Sequence, residues 1–334
     1  MPLDAGIESI VVLGRNADAE NIGDRGSSAV TPSEVVTALE GLRARAGSAI
    51  TVTHVTALDA ATMPVVFAAD AVIVITGLDD TDEGESDIAA GDRETLDLRA
   101  EEVALIRAAR TANERTIVVL EGGSAITSAG WDEEIPALLL AFYPGSEGGH
   151  ALAEILFGDA SPSGRLPFSV PLQESDLPPF DNVSDTVTYG YFHGYRHLDH
   201  EGIAPHHPFG YGLSYTTFAL SDLVLADGSL ASDGTLEATV TVTNTGSRRA
   251  IETVQAYVSV RGSSVERAEQ DLRAFAQVEL EPGASAPVVL RIHAGDLGYW
   301  DDESSGFVVE RVGYELRVGT HAADPRLTAP FTFE

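Results

Sequence analysis

The feature that most constrains this chain is a change in hydrophobic period near Phe218. Before it, short unbroken apolar runs alternate with segments whose apolar residues recur at helical spacing. After it, apolar and polar residues alternate one by one. Strands that are apolar throughout suit a parallel sheet covered on both faces, whereas one-by-one alternation suits sheets with one face in a core. The pattern therefore predicts two architectures in sequence: a mostly parallel α/β sandwich, then an all-β sandwich.

In the first part, strands are predicted at Ser9–Gly14, Ile50–Val55, Ala71–Gly77, Arg115–Gly123 and Ala137–Tyr143. Thr31-Pro32-Ser33-Glu34 predicts a helix start, with Thr31 as cap and proline at the first helical position, followed by Val35, Val36, Leu39 and Leu42. Further helices are expected from about Arg99 to Asn113, with Val103, Leu105, Ile106 and Ala109 inward, and from Gly149 to Phe157. In the last part, Leu236–Thr243 and Val254–Val260 read as half-buried strands. Turns at Asp227-Gly228, Asn244-Thr245-Gly246 and Glu281-Pro282-Gly283 separate the elements, as in an immunoglobulin-like sandwich. The expected organisation is an α/β domain over 1–171, a structured connector over 172–217 rich in Pro, Asp, Gly and aromatics, and the β-sandwich over 218–334.

Composition narrows the function classes. The 334 residues hold 52 acidic and 20 basic side chains, a net charge of -32, and every base is an arginine. Such a field repels nucleic acid and anionic membranes, so neither is an expected partner. The absence of cysteine excludes disulfides, thiolate metal sites and cysteine nucleophiles. No apolar run is long enough to span a bilayer, and no secretory signal is visible at Met1-Pro2-Leu3-Asp4, which leads to a cytoplasmic expectation.

The best local candidate for chemistry is Asp79-Asp80-Thr81-Asp82-Glu83-Gly84-Glu85-Ser86-Asp87, just after the third predicted strand. Open α/β sheets place their sites outside the carboxyl ends of strands. Crowded carboxylates repel, so one is expected to keep its proton to higher pH, which is what a departing glycosidic oxygen needs. A solvated acidic loop is the plainer reading of the same residues. Asp92 and Arg93 follow as candidates for substrate contact, although they could equally pair together or tie down the acidic loop.

Other chemistries find less support. Gly14-Arg15-Asn16-Ala17-Asp18 and Gly23–Ser28 lack dinucleotide-binding glycine spacing, and no acid ends the second strand. His193, His197, His200, His206 and His207 match no zinc template. Ser27, Ser28 and Ser124 lie outside nucleophile elbows, and Asn182-Val183-Ser184 is a sequon only on paper.

Read together, the motifs resemble family 3 glycoside hydrolases, the β-glucosidase and β-xylosidase group. Val12–Asp18 resembles the family's opening strand and G-P-N-A-D turn, with arginine at 15 in place of proline. The acidic loop with Gly91-Asp92-Arg93 and Leu96-Asp97-Leu98 resembles its E-G…D-R…L-x-L block. Tyr143–Gly149, Ser161–Phe168 and Pro208–Thr216 resemble its P-G-x-E-x-G, N-P-S-G-R-L-P and F-G-x-G-L-S-Y-T segments. Asp271–Phe275 and Asp296–Asp301 resemble strands of its fibronectin type III-like domain.

The resemblance implies a retaining glycosidase acting on a β-glucoside or related oligosaccharide, with no metal or cofactor. A (β/α)8 barrel would supply the aspartate nucleophile, and this acidic loop the acid/base glutamate, the two carboxyls about 5–5.5 Å apart. Glu83 keeps the E-G dipeptide, while Glu85 stands nearer Asp92-Arg93, so both are acid/base candidates. The start at Pro2-Leu3-Asp4 resembles the junction after the barrel, which gives the expectation of a barrel partner chain or a truncated parent, with this chain inactive alone. The alternative is a non-catalytic carbohydrate-binding or scaffolding protein, using Tyr189, Tyr191, Phe192 and Tyr195 to stack on sugar rings. A complete enzyme with unrelated chemistry ranks last, because no nucleophile–base spacing is recognised.

Overall fold

A computed structural model describes residues 2–23, 29–83 and 92–334 of the chain. It divides into two compact units. The first comprises residues up to 160 together with 172–188; the second comprises 161–171 and 189–334.

The first unit is built on five strands: β1 (Ser9–Leu13), β2 (Thr51–His54), β3 (Ala71–Gly77), β4 (Thr116–Glu121) and β5 (Ala137–Leu140). All neighbours are parallel, in the order β2-β1-β3-β4-β5. Side-chain alternation makes each central strand two-faced. Ile10, Val12, Ile73, Ile75 and Val119 point to one side, where they meet Leu39, Leu42, Leu152 and Leu156. Val11, Leu13, Val72, Val74 and Val118 point to the other, with Val66, Ile106, Ala109 and Trp131. The first set of partners lies on α1 (Ala38–Ala46) and α4 (Gly148–Phe157); Val66 lies on α2 (Met63–Ala68), and Ile106 and Ala109 on α3 (Ala100–Ala112). Both faces are thus sealed, which is why β1, β3 and β4 read as unbroken apolar runs.

One helix begins later than the sequence pattern predicts. Thr37, not Thr31, caps α1: its hydroxyl accepts from the Glu40 amide at 3.2 Å, while Glu40 accepts from the Thr37 amide at 3.0 Å. Val35 and Val36 stay outside the helix. The Val36 amide is committed to the Ser146 carbonyl at 2.9 Å, and its own carbonyl accepts from Gly149 at 3.1 Å. These bonds hold α1 and α4 so close that a Cβ on Gly41 would meet the Gly149 carbonyl oxygen at 2.0 Å. The short α2 has no counterpart among the predicted elements.

The second unit carries β6 (Phe218–Leu225), β7 (Ser229–Leu230), β8 (Thr235–Asn244), β9 (Ala250–Arg261), β10 (Asp271–Leu280), β11 (Ser285–His293), β12 (Tyr299–Asp301), β13 (Gly306–Val308), β14 (Gly313–Gly319) and β15 (Pro325–Phe333). Two sheets, β10-β9-β14-β15-β7 and β11-β8-β6, enclose a core that includes Leu236, Val240, Val254, Leu290, Leu316 and Phe331. β12 and β13 form a separate hairpin. The architecture is the expected one, an α/β sheet region followed by an antiparallel β-sandwich.

Within this unit, the segments before β6 are fastened by buried polar groups. Gln255 donates to the carbonyls of Gly210 at 3.0 Å and Thr320 at 2.6 Å, and Tyr257 donates to Gln255 at 2.6 Å. Arg165 pairs with Glu252 at 2.6 Å, their side chains only 9% and 7% exposed. The connector aromatics largely serve packing. Phe192 stacks on His200, and Tyr195 on Phe209 and against Tyr257. Tyr191 accepts from the Ala268 amide at 3.2 Å, and Tyr189 stays exposed. Among the connector histidines, His207 also stacks on Tyr211.

Candidate functional site

The strand order reverses direction between β1 and β3, and the crevice outside their carboxyl ends is where doubly wound sheets bind ligands. β3 ends at Gly77, whose φ of 130° and close approach to the Glu121 carbonyl admit no side chain. The Leu78 amide continues the register by donating to that carbonyl at 2.7 Å. The chain then turns through 79–83, with the amides of Asp82 and Glu83 donating to the Asp79 carbonyl at 3.0 and 3.3 Å.

Glu83 is half-buried and faces the ends of β4 and β5. Its Oε2 accepts from the Gly123 amide at 3.0 Å and from the Tyr143 hydroxyl; its Oε1 accepts from the Ser124 hydroxyl at 2.9 Å. Space is tight: a Cβ on Gly123 would lie 2.8 Å from Glu83 Oε2. Tyr143 is presented by Phe142, whose φ of 54° is left-handed and whose carbonyl accepts from the Gly122 amide at 3.2 Å.

Arg93 is brought into the same cluster. Its guanidinium donates to Ser124 Oγ and to the Ala125 carbonyl, both at 2.9 Å. Burial presses its pKa below the ordinary arginine value, opposed first by the charge of Glu83. Arg93 thereby joins its own segment to the loop after β4. Asp92 is exposed and is held through its backbone, which exchanges hydrogen bonds with Asn182 at 2.8 and 3.0 Å. Glu85 lies outside the described residues, as do Gly91, Ser27 and Ser28.

The other acids behave differently from a freely repelling cluster. Asp82 is gripped by Arg15 and Arg99. Burial tends to raise the Asp79 pKa, but hydrogen bonds from Thr81 and the charges of Arg15 and Arg99 outweigh it and hold Asp79 below the usual carboxylate range. The raised carboxyls stand on neighbouring elements. Burial raises Glu102, which accepts from Thr76 at 2.8 Å. Burial pushes Glu121 up to about 7, against hydrogen bonds from Asn21 and Asn16. Asn21 donates at 2.9 Å both to Glu121 Oε2 and to the Leu78 carbonyl, so the loop after β1 is sewn to the ends of β3 and β4.

Three of these groups carry no site motif in the sequence. Tyr143 appears in the sequence only as the start of a turn motif, Ser124 only as a serine outside an elbow, and Glu121 only as the end of a strand. Their shared position at strand carboxyl ends was the available clue.

Comparison with known proteins bears on the family and the fold. Residues 1–215 match the model of the glycosyl hydrolase family 3 C-terminal domain, and 252–322 that of the fibronectin type III-like domain. An exo-alpha-(1->6)-L-arabinopyranosidase of Bifidobacterium longum is 34% identical over 97% of this chain and 45% of its own length. A beta-glucosidase of Bacteroides ovatus is 29% identical over 97% of this chain and 47% of its own. Among solved structures, a family 3 beta-glucosidase of Bifidobacterium adolescentis superposes with a TM-score of 0.87 at 32% identity, over all of this chain and 50% of that one. The chain spans about half the length of the curated relatives it matches. With its matched α/β region and the fibronectin type III-like region behind it, the chain belongs to glycoside hydrolase family 3.

Proposed function

We propose that this chain provides the acid/base side of a retaining glycosidase site, with Glu83 as proton donor and a (β/α)8 barrel supplying the nucleophile. The observation that carries the reading is the cradle of Glu83: a carboxyl on the loop after β3, held by Gly123, Ser124 and Tyr143 from just beyond the ends of β4 and β5. General acid catalysis needs a carboxyl fixed within hydrogen-bond reach of the leaving oxygen, and a side chain anchored on both oxygens has little freedom to wander.

In the first step Glu83 gives its proton to the glycosidic oxygen as the barrel's aspartate attacks the anomeric carbon. In the second it takes a proton from water as the glycosyl–enzyme ester is hydrolysed. Arg93 acts through Ser124, fixing the hydroxyl that holds Glu83. The relatives' names suggest two substrate classes, β-glucosides and α-L-arabinopyranosides, to be tried side by side.

The test is reconstitution with family 3 barrel domains. Cleavage of an aryl β-glucoside or α-L-arabinopyranoside should be negligible with either part alone and appear when they are combined. If Glu83→Gln leaves the combined rate unchanged while Glu85→Gln abolishes it, the acid/base role belongs to Glu85. If no combination cleaves either substrate, the catalytic reading falls.

A further inference from the structure

We infer that Arg15 is a positioning residue for Glu83: together with Arg99 it clamps Asp82, and so holds the segment 79–83 in the conformation that delivers Glu83 to its donors. This deepens the function proposed above, on which it rests only for the chemical task of Glu83.

The guanidinium of Arg15 reaches three carboxylates at once. One terminal nitrogen contacts Asp82 and lies 3.1 Å from Asp79 Oδ2, while Nε lies 3.0 Å from Glu102 Oε1. Arg99 takes the other oxygen of Asp82. Asp82 in turn caps the turn it belongs to, accepting from the Asp79 amide at 3.0 Å.

Burial is divided unevenly. The side chains of Asp82 and Glu102 are 10% and 6% exposed, those of Arg15 and Arg99 26% and 42%. The acids are therefore inside, with the arginines covering them from the solvent side. Glu102 Oε2 is buried with no hydrogen-bond partner among the described residues, which leaves Arg15 and Thr76 to support that carboxyl through Oε1.

Without Arg15, nearly buried like charges would face one another, and the turn could relieve them only by opening. Asp82 directly precedes Glu83, so an opened turn moves Glu83 away from Gly123. Position 15 is where this chain departs from the proline of the motif it resembles, and a proline ring cannot reach any of these acids. Lysine would keep the charge but lose the planar fork that serves several acceptors together.

The readout is the Gly123 amide, which donates to Glu83 and touches no part of Arg15. Amide hydrogen exchange would be followed residue by residue in the isolated chain, with Val118 of β4, the strand that leads to Gly123, as reference. In Arg15→Gln the Gly123 amide should exchange about tenfold faster, the loss of roughly one net hydrogen bond, while Val118 is unchanged. Arg15→Lys should give a smaller rise at Gly123. Adding Asp82→Asn to Arg15→Gln should give no further rise, because the two substitutions break one unit. Unchanged Gly123 exchange in Arg15→Gln overturns the inference. So does an equal acceleration at Gly123 and Val118, which would mean general loosening. Neither readout involves sugar cleavage, so the clamp and the catalytic role of Glu83 can fail independently.

Discussion

Tyr143, on the loop after β5, donates its hydroxyl to the carboxylate of Glu83 on the loop after β3. The contact joins residues on two elements that share no strand pairing, since β4 lies between β3 and β5. It is obtained at a backbone cost. Phe142 is a bulky residue in the left-handed region, a conformation that costs on the order of 1–3 kcal/mol and persists where surrounding structure enforces it.

Tyr143→Phe removes this donor while keeping the ring. Thermal unfolding of the variant should lie within a few degrees of the parent. The kcat/KM of a barrel-reconstituted enzyme should fall about 10- to 100-fold, the usual worth of a hydrogen bond to a charged group. An unchanged kcat/KM would remove Tyr143 from the site.

Glu121 makes stability depend on pH. Its folded pKa of about 7 lies above the unfolded value, about 4.3. Below pH 4.3 both states hold the proton and the buried neutral carboxyl carries no penalty. As pH rises toward 7 only the unfolded chain releases it, so stability falls, by ~4 kcal/mol once the folded pKa is passed. Glu121→Gln cannot ionise and should be more stable than the parent at pH 8 by that order, with little difference at pH 4. Carboxylates such as Asp79, whose pKa is lowered, act in the opposite sense, but they cancel when parent and variant are compared at the same pH. Urea unfolding at the two pH values checks it; parallel curves would contradict it.

The contact between α1 and α4 predicts intolerance at Gly41. Gly41→Ala places a methyl 2.0 Å from the Gly149 carbonyl oxygen, so the helices must separate. A loss of about 1–3 kcal/mol, or more, is expected from the urea midpoint. A loss below 0.5 kcal/mol would show that the helices move apart freely.

In the second unit, Arg165→Met leaves Glu252 as a buried charge without its partner. A loss of about 3–5 kcal/mol is expected, and adding Glu252→Gln should restore a large part of it. Equal losses in the single and double variants would show that the pair contributes packing rather than charge compensation.

Much of the fold is legible in the residues. Ala71–Gly77 and Thr116–Glu121 are so apolar that only a strand covered on both faces accommodates them. The start of α1 was not legible, because Thr31-Pro32-Ser33-Glu34 and Thr37-Ala38-Leu39-Glu40 both offer a capping box. The choice is made by hydrogen bonds from Val36 to residues more than a hundred positions later. The site divides in the same way. The acidic loop that holds Glu83 and Glu85 stands out by local sequence, since acids after a buried strand are visible without a structure, but the choice between the two glutamates does not. Gly123, Ser124 and Tyr143 become donors to Glu83 only through the parallel pairing of β3 with β4 and of β4 with β5. Arg15 showed itself only as a departure from a motif, with nothing in the sequence to say that three acids would converge on it.

The central claim is that Glu83 delivers a proton to the leaving oxygen, and leaving-group dependence measures this directly. In a barrel-reconstituted enzyme, Glu83→Gln should lose about 10²- to 10⁴-fold in kcat/KM on a phenyl glycoside, whose departing oxygen needs a proton. It should lose little on a dinitrophenyl glycoside, which departs without one. Equal losses on the two substrates, or no loss on either, would contradict the account.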